Sequence, residues 1–226
     1  MKIVTYATHS EGSFEELTHN KFGVEVTVLG MGERWQGFVH RVKKYREYLD
    51  TLEDNEIVVF VDGFDSHIIK PIDGLEDMFK SLKCDILVSK NVTIQPHYII
   101  HKMFGTCKDN TIANAGLLMG YAGHLKKLQD YIINGKTVDD QKNLNDACSK
   151  FPNLKIDTDC IIFKNILPTE KIENLYESNA FFGQTPGAFT FKRRIRSIKE
   201  YTPLFIPEIV LFLLIVYFLY LHFFQS

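Results

Sequence analysis

The sequence predicts a single α/β domain with a mostly parallel sheet covered by helices, followed by one C-terminal membrane-spanning helix. Three observations carry this expectation. Short β-branched runs alternate with segments of helical spacing through most of the chain, the order of a strand–helix–strand fold. One of those runs, Ile57 to Val61, is apolar throughout and stops abruptly at Asp62, as a fully buried strand does. Finally, Leu204 to Phe224 is interrupted only by Pro207, Glu208 and His222, and its length is close to the ~20 residues that cross a bilayer core.

Composition narrows the function classes. With 226 residues and 45% hydrophobic content, the chain can bury the core of one globular domain. A formal net charge of −2 and a pI near 6.4 supply no basic field, so no nucleic-acid partner is expected. Cys84, Cys107, Cys148 and Cys160 are scattered without CxxC spacing, which fits neither a zinc site nor a dense disulfide framework; reduced thiols are expected. The N-terminus has too short an apolar run for a signal peptide and is read as a strand.

Taken in order, Ile3 to Thr8 is expected to be the first strand, and the polar stretch after it turns into a short helix from about Ser13. Val24 to Gly30 is a second strand by its β-branched alternation. From Phe38, apolar residues recur at Val42, Tyr45, Leu49 and Leu52, which predicts a helix with Arg41, Lys43 and Arg46 on its other faces. The strand ending at Asp62 follows, and Asp85 to Ser89 is another. Asn91 to Asn110 contains Pro96 and two histidines without a clear period, and is expected to be irregular. Asn114 to Ala122 returns as a strand and His124 to Ile133 as a helix. Asp139 and Asp140 open a further helix, where dipole grounds alone would account for them. Lys155 to Asn165 reads as one or two short strands.

The chemistry concentrates at Asp62 and Asp65. In open α/β sheets ligands bind at the carboxyl ends of strands, and two carboxylates three apart across a tight turn can converge on one hard cation. The plain alternative is a solvated Asp/Gly turn. His67, or His97 with His101 four residues on, are further candidate ligands. Asn91-Val92-Thr93 matches a glycosylation sequon, taken as coincidence in a cytosolic domain.

Six segments in order, "VTYATHSEG" (Val4 to Gly12), "LGMGERW" (Leu29 to Trp35), "VVFVDGFD" (Val58 to Asp65), "NAGLLMGYA", "VDDQ" and "DCIIFKN", resemble the glycosyltransferase domain of the procollagen lysyl hydroxylase and collagen glycosyltransferase group. The resemblance implies a GT-A fold, a Rossmann-like mixed sheet that binds a UDP-sugar with Mn2+ or Mg2+. Carried over by motif, it implies Asp62 and Asp65 as the metal pair. Thr5, Thr8 and Phe64 would line the nucleotide pocket, which Trp35 shapes unless it is core packing. Asn114 and Gly116 would lie beside the sugar, and Asp139 and Asp140 would face donor and acceptor, one of them assisting proton transfer. The chain also departs from the family pattern. Phe182 stands where the family has the metal-binding histidine of HGNGP, and Gly187 and Ala188 stand where a diphosphate lysine is expected, with Lys192 a nearby substitute. The Gly-rich run before the long helix is reduced to Gly37 and Val39, and Asn91 replaces an acidic residue.

The expected organisation is a glycosyltransferase domain over 1–191, a basic juxtamembrane linker over 192–203 and a transmembrane helix over 204–224. Lys192, Arg193, Arg194, Arg196 and Lys199 before the helix, with only Gln225 and Ser226 after it, imply a tail anchor with the domain on the cytosolic side. The leading function is a metal-dependent transfer of sugar from a UDP-sugar to a protein or glycan hydroxyl, hydroxylysine of a collagen-like protein being one acceptor. The alternatives are a catalytically silent scaffold at a membrane, favoured by Phe182, and a metal-dependent phosphohydrolase or nucleotidyltransferase, disfavoured by the absence of a P-loop.

Overall fold

The computed structural model describes residues 1–167, 169–185, 199 and 201–224. The chain divides into two units, Met1–Ala188 and Phe189–Ser226. In the first unit the elements run β1 (Lys2–Tyr6), α1 (Phe14–Thr18), β2 (Thr27–Leu29), α2 (Phe38–Leu49), β3 (Ile57–Asp62), β4 (Ser66–Ile68), α3 (Leu75–Ser81), β5 (Ile86–Lys90) and α4 (His97–Phe104). They continue with β6 (Ala113–Tyr121), α5 (Ala122–Ile133), α6 (Asp140–Ala147), β7 (Leu154–Asp157), β8 (Phe163–Asn165), α7 (Glu173–Tyr176) and β9 (Phe182–Gln184).

Six strands form one sheet in the order β2-β1-β3-β6-β5-β7. The β1–β2, β1–β3 and β5–β7 pairs are parallel, and β6 runs antiparallel to both of its neighbours. The expected α/β class with a mostly parallel mixed sheet is therefore present. The uninterrupted apolar run of β3 is explained by burial on both faces. Val58 and Phe60 pack with Val42, Tyr45 and Leu125 of α2 and α5, while Ile57, Val59 and Val61 pack with Leu75 and Phe79 of α3. Each such side chain contributes roughly 1.5–3 kcal/mol on burial, so β3 anchors its own C-terminal end. A second sheet, β4-β9-β8, pairs β4 antiparallel and β8 parallel to β9, and β4 begins directly after Asp65.

Three features differ from the sequence reading. The stretch expected to be irregular contains α4. Pro96 precedes its first turn, where a fixed φ and a missing N–H cost nothing, and its carbonyl accepts from Ile99 and Ile100. Only Ile100 of this helix is buried, so no apolar period marks it. The small sheet was not legible either, because β4 and β9 are three residues each and far apart in the chain. Third, Cys107 and Cys148 form a disulfide, against the expectation of reduced thiols. Cys107 lies just past α4 and Cys148 just past α6, and packing of the two helices brings their Cα atoms to 5.1 Å. Cys84 and Cys160 are free.

In the second unit, Thr202–Phe205 forms a 3-10 turn that leads into α8 (Ile206–Phe224). The span Thr202–Leu221 has a mean hydropathy of 2.5 and is long and apolar enough to cross a membrane. Its large side chains, Phe212 and Phe218 among them, are exposed rather than packed as a core helix would be. Gly187, Ala188, Lys192, Arg193, Arg194 and Arg196 lie outside the described residues.

Candidate active site

Strand register gathers the candidate residues on one edge of the large sheet. Tyr6 pairs with Asp62, and Ser89 pairs with Asn114 on one side and Asp157 on the other. The C-terminal ends of β1, β3, β5 and β7 therefore meet the start of β6. Asp62 is the last residue of β3, and Asp65 follows across a short turn. The segment after β1 holds that turn from outside. Ser13 N donates to the Phe64 carbonyl at 2.9 Å, and a Cβ on Gly12, whose φ is +59°, would stand 2.1 Å from that same oxygen. Only glycine permits this crossing.

Asp62 is joined to Asp140 by a residue not foreseen as part of the site. Arg41 Nη1 donates to Asp62 Oδ2 at 2.9 Å, and Nη2 donates to Asp140 Oδ2. Arg41 is only 7% exposed and Asp140 only 6%. The reading that Arg41 lies on an outer face of α2 is overturned. It stands three residues from Phe38 and four from Tyr45, and so shares their inward face. That spacing was visible in the sequence, and the charge concealed it. A cavity of about 20 Å3 is lined by Arg41, Asp140, Tyr45 and Gln129 among others; Arg41 and Asp140 are buried, while Asp62 stays partly exposed at the strand mouth. Burial opposes the Arg41 charge, but Asp140 and Asp62 more than offset it and the net shift of its pKa is upward. Burial also raises the Asp140 carboxyl above the usual range, and Arg41 counters this without cancelling it.

Asp65 is held by different chemistry. Gln184 Nε2, from β9, donates to Asp65 Oδ1 at 2.8 Å, and Thr185 N donates to the Asp65 carbonyl at 2.9 Å. The Gln184 amide lies directly on β6 at Gly116, where a Cβ would come within 2.3 Å of Nε2 and 2.5 Å of Oε1. Gly116 thus has a packing reason to be glycine. Phe182 is fully buried, is paired with Ile68, and packs on Phe163 in the core. The polar side chain that β9 brings to the aspartates is Gln184.

The remaining candidates are placed as follows. Thr5 is fully buried, and its Oγ1 has no partner among the described residues. Thr8 is half-buried with its hydroxyl on the His9 ring, and Phe64 packs against the same ring at 5.2 Å. Trp35 is 38% exposed and leans on Tyr6 and Phe38, so it is not core packing. Asn114 Oδ1 accepts from Gly116 N at 2.6 Å beside the irregularity between β5 and β6. Asp139 caps α6, accepting from Lys142 N at 3.0 Å, and is more accessible than Asp140. Asp157, which the sequence did not flag, spends its carboxylate on the backbone N–H groups of Ile161, Ile162 and Phe163.

Among the histidines, His67 is buried against Ser13 and Tyr176, and the rings of His97 and His101 stack 3.5 Å apart. No cluster of three or more His, Cys, Asp or Glu side chains occurs among the described residues. Among the described residues, the two aspartates are thus not joined by a third such side chain in a group that could hold a metal ion.

A family model described as PLOD GT domain matches residues 1–180. Among solved structures, a galactosyltransferase, LgtC, in complex with donor and acceptor sugar analogues is 14% identical, with 90% of this chain and 95% of that chain covered and a TM-score of 0.46. An active-site mutant of LgtC gives 13%, 88%, 95% and 0.49. No curated protein matches by sequence.

Proposed function

The chain belongs to the family of PLOD glycosyltransferase domains, and from that premise we propose that it moves a sugar from a UDP-sugar to a hydroxyl acceptor with a divalent cation at Asp62 and Asp65. The observation that carries this reading is the buried Arg41, which ties the "VDGFD" turn to the "VDDQ" helix through Asp62 and Asp140. Turn and cap chemistry alone would not require a buried guanidinium between the two motifs. The donor set fits a hard cation, since Asp62 and Asp65 offer carboxylate oxygens at a strand mouth. When bound, Mn2+ or Mg2+ supplies charge neutralisation for the departing diphosphate.

The chain's own residues divide the remaining work. Arg41 fixes the rotamer of Asp62 and is itself aimed by Asp140, which makes both positioning residues. Asp139, the more accessible of the acidic pair, faces the acceptor and assists removal of the hydroxyl proton. Thr5, Thr8, Trp35 and Phe64 shape the nucleotide side, with Asn114 and Gly116 on the sugar side. Hydroxylysine of a collagen-like protein is the acceptor that the family suggests, and α8 anchors the chain in a membrane.

The test is UDP-sugar turnover by the full chain in detergent with Mn2+. Wild-type turnover should fall about 10²–10³-fold in Asp65→Asn while the melting temperature is held. Equal turnover in the variant would remove the aspartate pair from the mechanism.

For the side of the membrane, the basic run supports the cytosol by the positive-inside rule, whereas the Cys107–Cys148 disulfide favours a second reading, an oxidising compartment. Alkylation during denaturing extraction separates them. Modification of all four cysteines supports the cytosol, and modification of Cys84 and Cys160 alone supports the oxidising side.

A further inference from the structure

We propose that the side-chain oxygen of Gln184 is a protein ligand of the divalent cation, in place of the histidine that the family pattern would supply and this chain lacks. The proposal rests on the reading of Asp62 and Asp65 as the cation pair. Its basis is one atom. Gln184 is 3% exposed, and while its Nε2 donates to Asp65 Oδ1, its Oε1 is buried and has no hydrogen-bond partner among the described residues. A buried acceptor left unpaired is costly, and each such group in a native structure calls for an explanation, a bound ion being one.

The position is built rather than incidental. Around Gln184 the backbone of β9 is paired on both sides, to Ser66 of β4 and Asn165 of β8, and Thr185 N closes the strand end onto the Asp65 carbonyl. The amide itself rests on Gly116, the one residue type that leaves it room. Phe182 and Gln184 are two apart on β9 and share a face, with side chains roughly 6.6 Å apart along the strand. Where the family pattern puts imidazole, this strand puts a core phenyl ring, and the next side chain on that face is an amide whose NH2 group meets Asp65 and whose oxygen is left over.

The chemistry of the donor is also suited. An amide oxygen is a hard, neutral ligand of the kind that completes oxygen sites for Mg2+ and Mn2+, whereas imidazole also favours Zn2+ and Ni2+. Replacing histidine by glutamine therefore keeps the site's affinity for the cations that pair with diphosphates. It also removes the donor that would recruit softer metals.

The experiment is Mn2+ titration of the full chain in detergent with UDP present, followed by the electron paramagnetic resonance signal of free Mn2+, with melting temperatures to verify folding. Gln184→Met keeps the length and removes the oxygen, and should weaken Mn2+ about tenfold or more. Gln184→Glu adds a charged oxygen at the same point, and should hold or tighten Mn2+. If Gln184→Glu weakens Mn2+ as much as Gln184→Met, the residue acts only through its N–H to Asp65 and the proposal is overturned. Unchanged affinity in Gln184→Met overturns it as well. Asp65→Asn separates the two levels. If it abolishes Mn2+ binding while the Gln184 variants do not alter it, the cation pair stands and Gln184 is no ligand. If wild type binds UDP but no Mn2+, the cation reading falls and takes the proposal with it.

Discussion

Asp62 and Asp65 belong to one turn, yet the two sheets hold them by opposite means. On the large sheet, Asp62 meets a buried guanidinium that a second buried carboxylate also claims. On the small sheet, Asp65 accepts a neutral amide hydrogen bond from β9. The difference separates what a carboxylate does for the fold from what it does for a ligand. A charge buried against a charge must stay paired, so the Arg41 network is bound up with folding. An amide that holds a carboxylate orients it without cancelling its charge, which suits a group that must also meet a cation.

The sharpest way to break this comparison is Arg41→Met. It leaves Asp62 and Asp140 facing an apolar side chain and should cost about 3–5 kcal/mol in chemical denaturation, the range for removing one partner of a buried pair. Adding Asp62→Asn and Asp140→Asn should recover part of that loss, because the cost comes from the stranded charges and not from the missing Arg41 contacts. No recovery in the triple variant would mean that Arg41 stabilises chiefly by packing on Phe38 and Phe60. Asp65→Asn, by contrast, should hold its melting temperature and lose turnover.

A smaller effect probes the amide side alone. Gly116→Ala touches no carboxylate, but its methyl group would occupy the place of the Gln184 amide. Overpacking of this kind costs about 1–3 kcal/mol. It should also displace Gln184 from Asp65 and weaken Mn2+ binding in the same direction as Gln184→Met. A Gly116→Ala protein with unaltered Mn2+ affinity would show that the Gln184–Asp65 contact is not what prepares the site.

The same contrast explains which parts of the molecule could be read in advance. The large sheet was legible because β3 carries five consecutive apolar residues and β1, β5 and β6 are built around shorter apolar or β-branched runs, as strands buried on both faces tend to be. Asp62 stood out as the first charge after such a run. Arg41 was assigned outward because a cation on an apolar face contradicts the usual pattern, although its spacing from Phe38 and Tyr45 was correct for the inner face. Gln184 was beyond reach. Its importance depends on β4 pairing with β9 across more than a hundred residues, and no local periodicity reports a register between strands three residues long. The disulfide was hidden for the same reason, since cysteine pairing follows from how helices pack and not from spacing.

The subtlest prediction concerns Asp140 itself, on which burial and Arg41 act in opposite directions. Burial is the larger influence and raises its pKa in the folded state above the ordinary carboxylate value near ~3.9. The sign then follows from linkage. A carboxyl raised on folding holds its proton more tightly in the folded chain, so its contribution is fully present below ~3.9 and is lost as pH rises through the folded value. Asp140→Asn removes that titration while keeping the shape. The melting temperature of wild type minus that of Asp140→Asn should therefore fall as pH rises from about 4 toward neutrality. A difference that grows instead would mean that attraction to Arg41 outweighs burial. Asp140 would then titrate as an ordinary salt-bridged carboxylate, and the large-sheet network would stabilise the fold most at neutral pH.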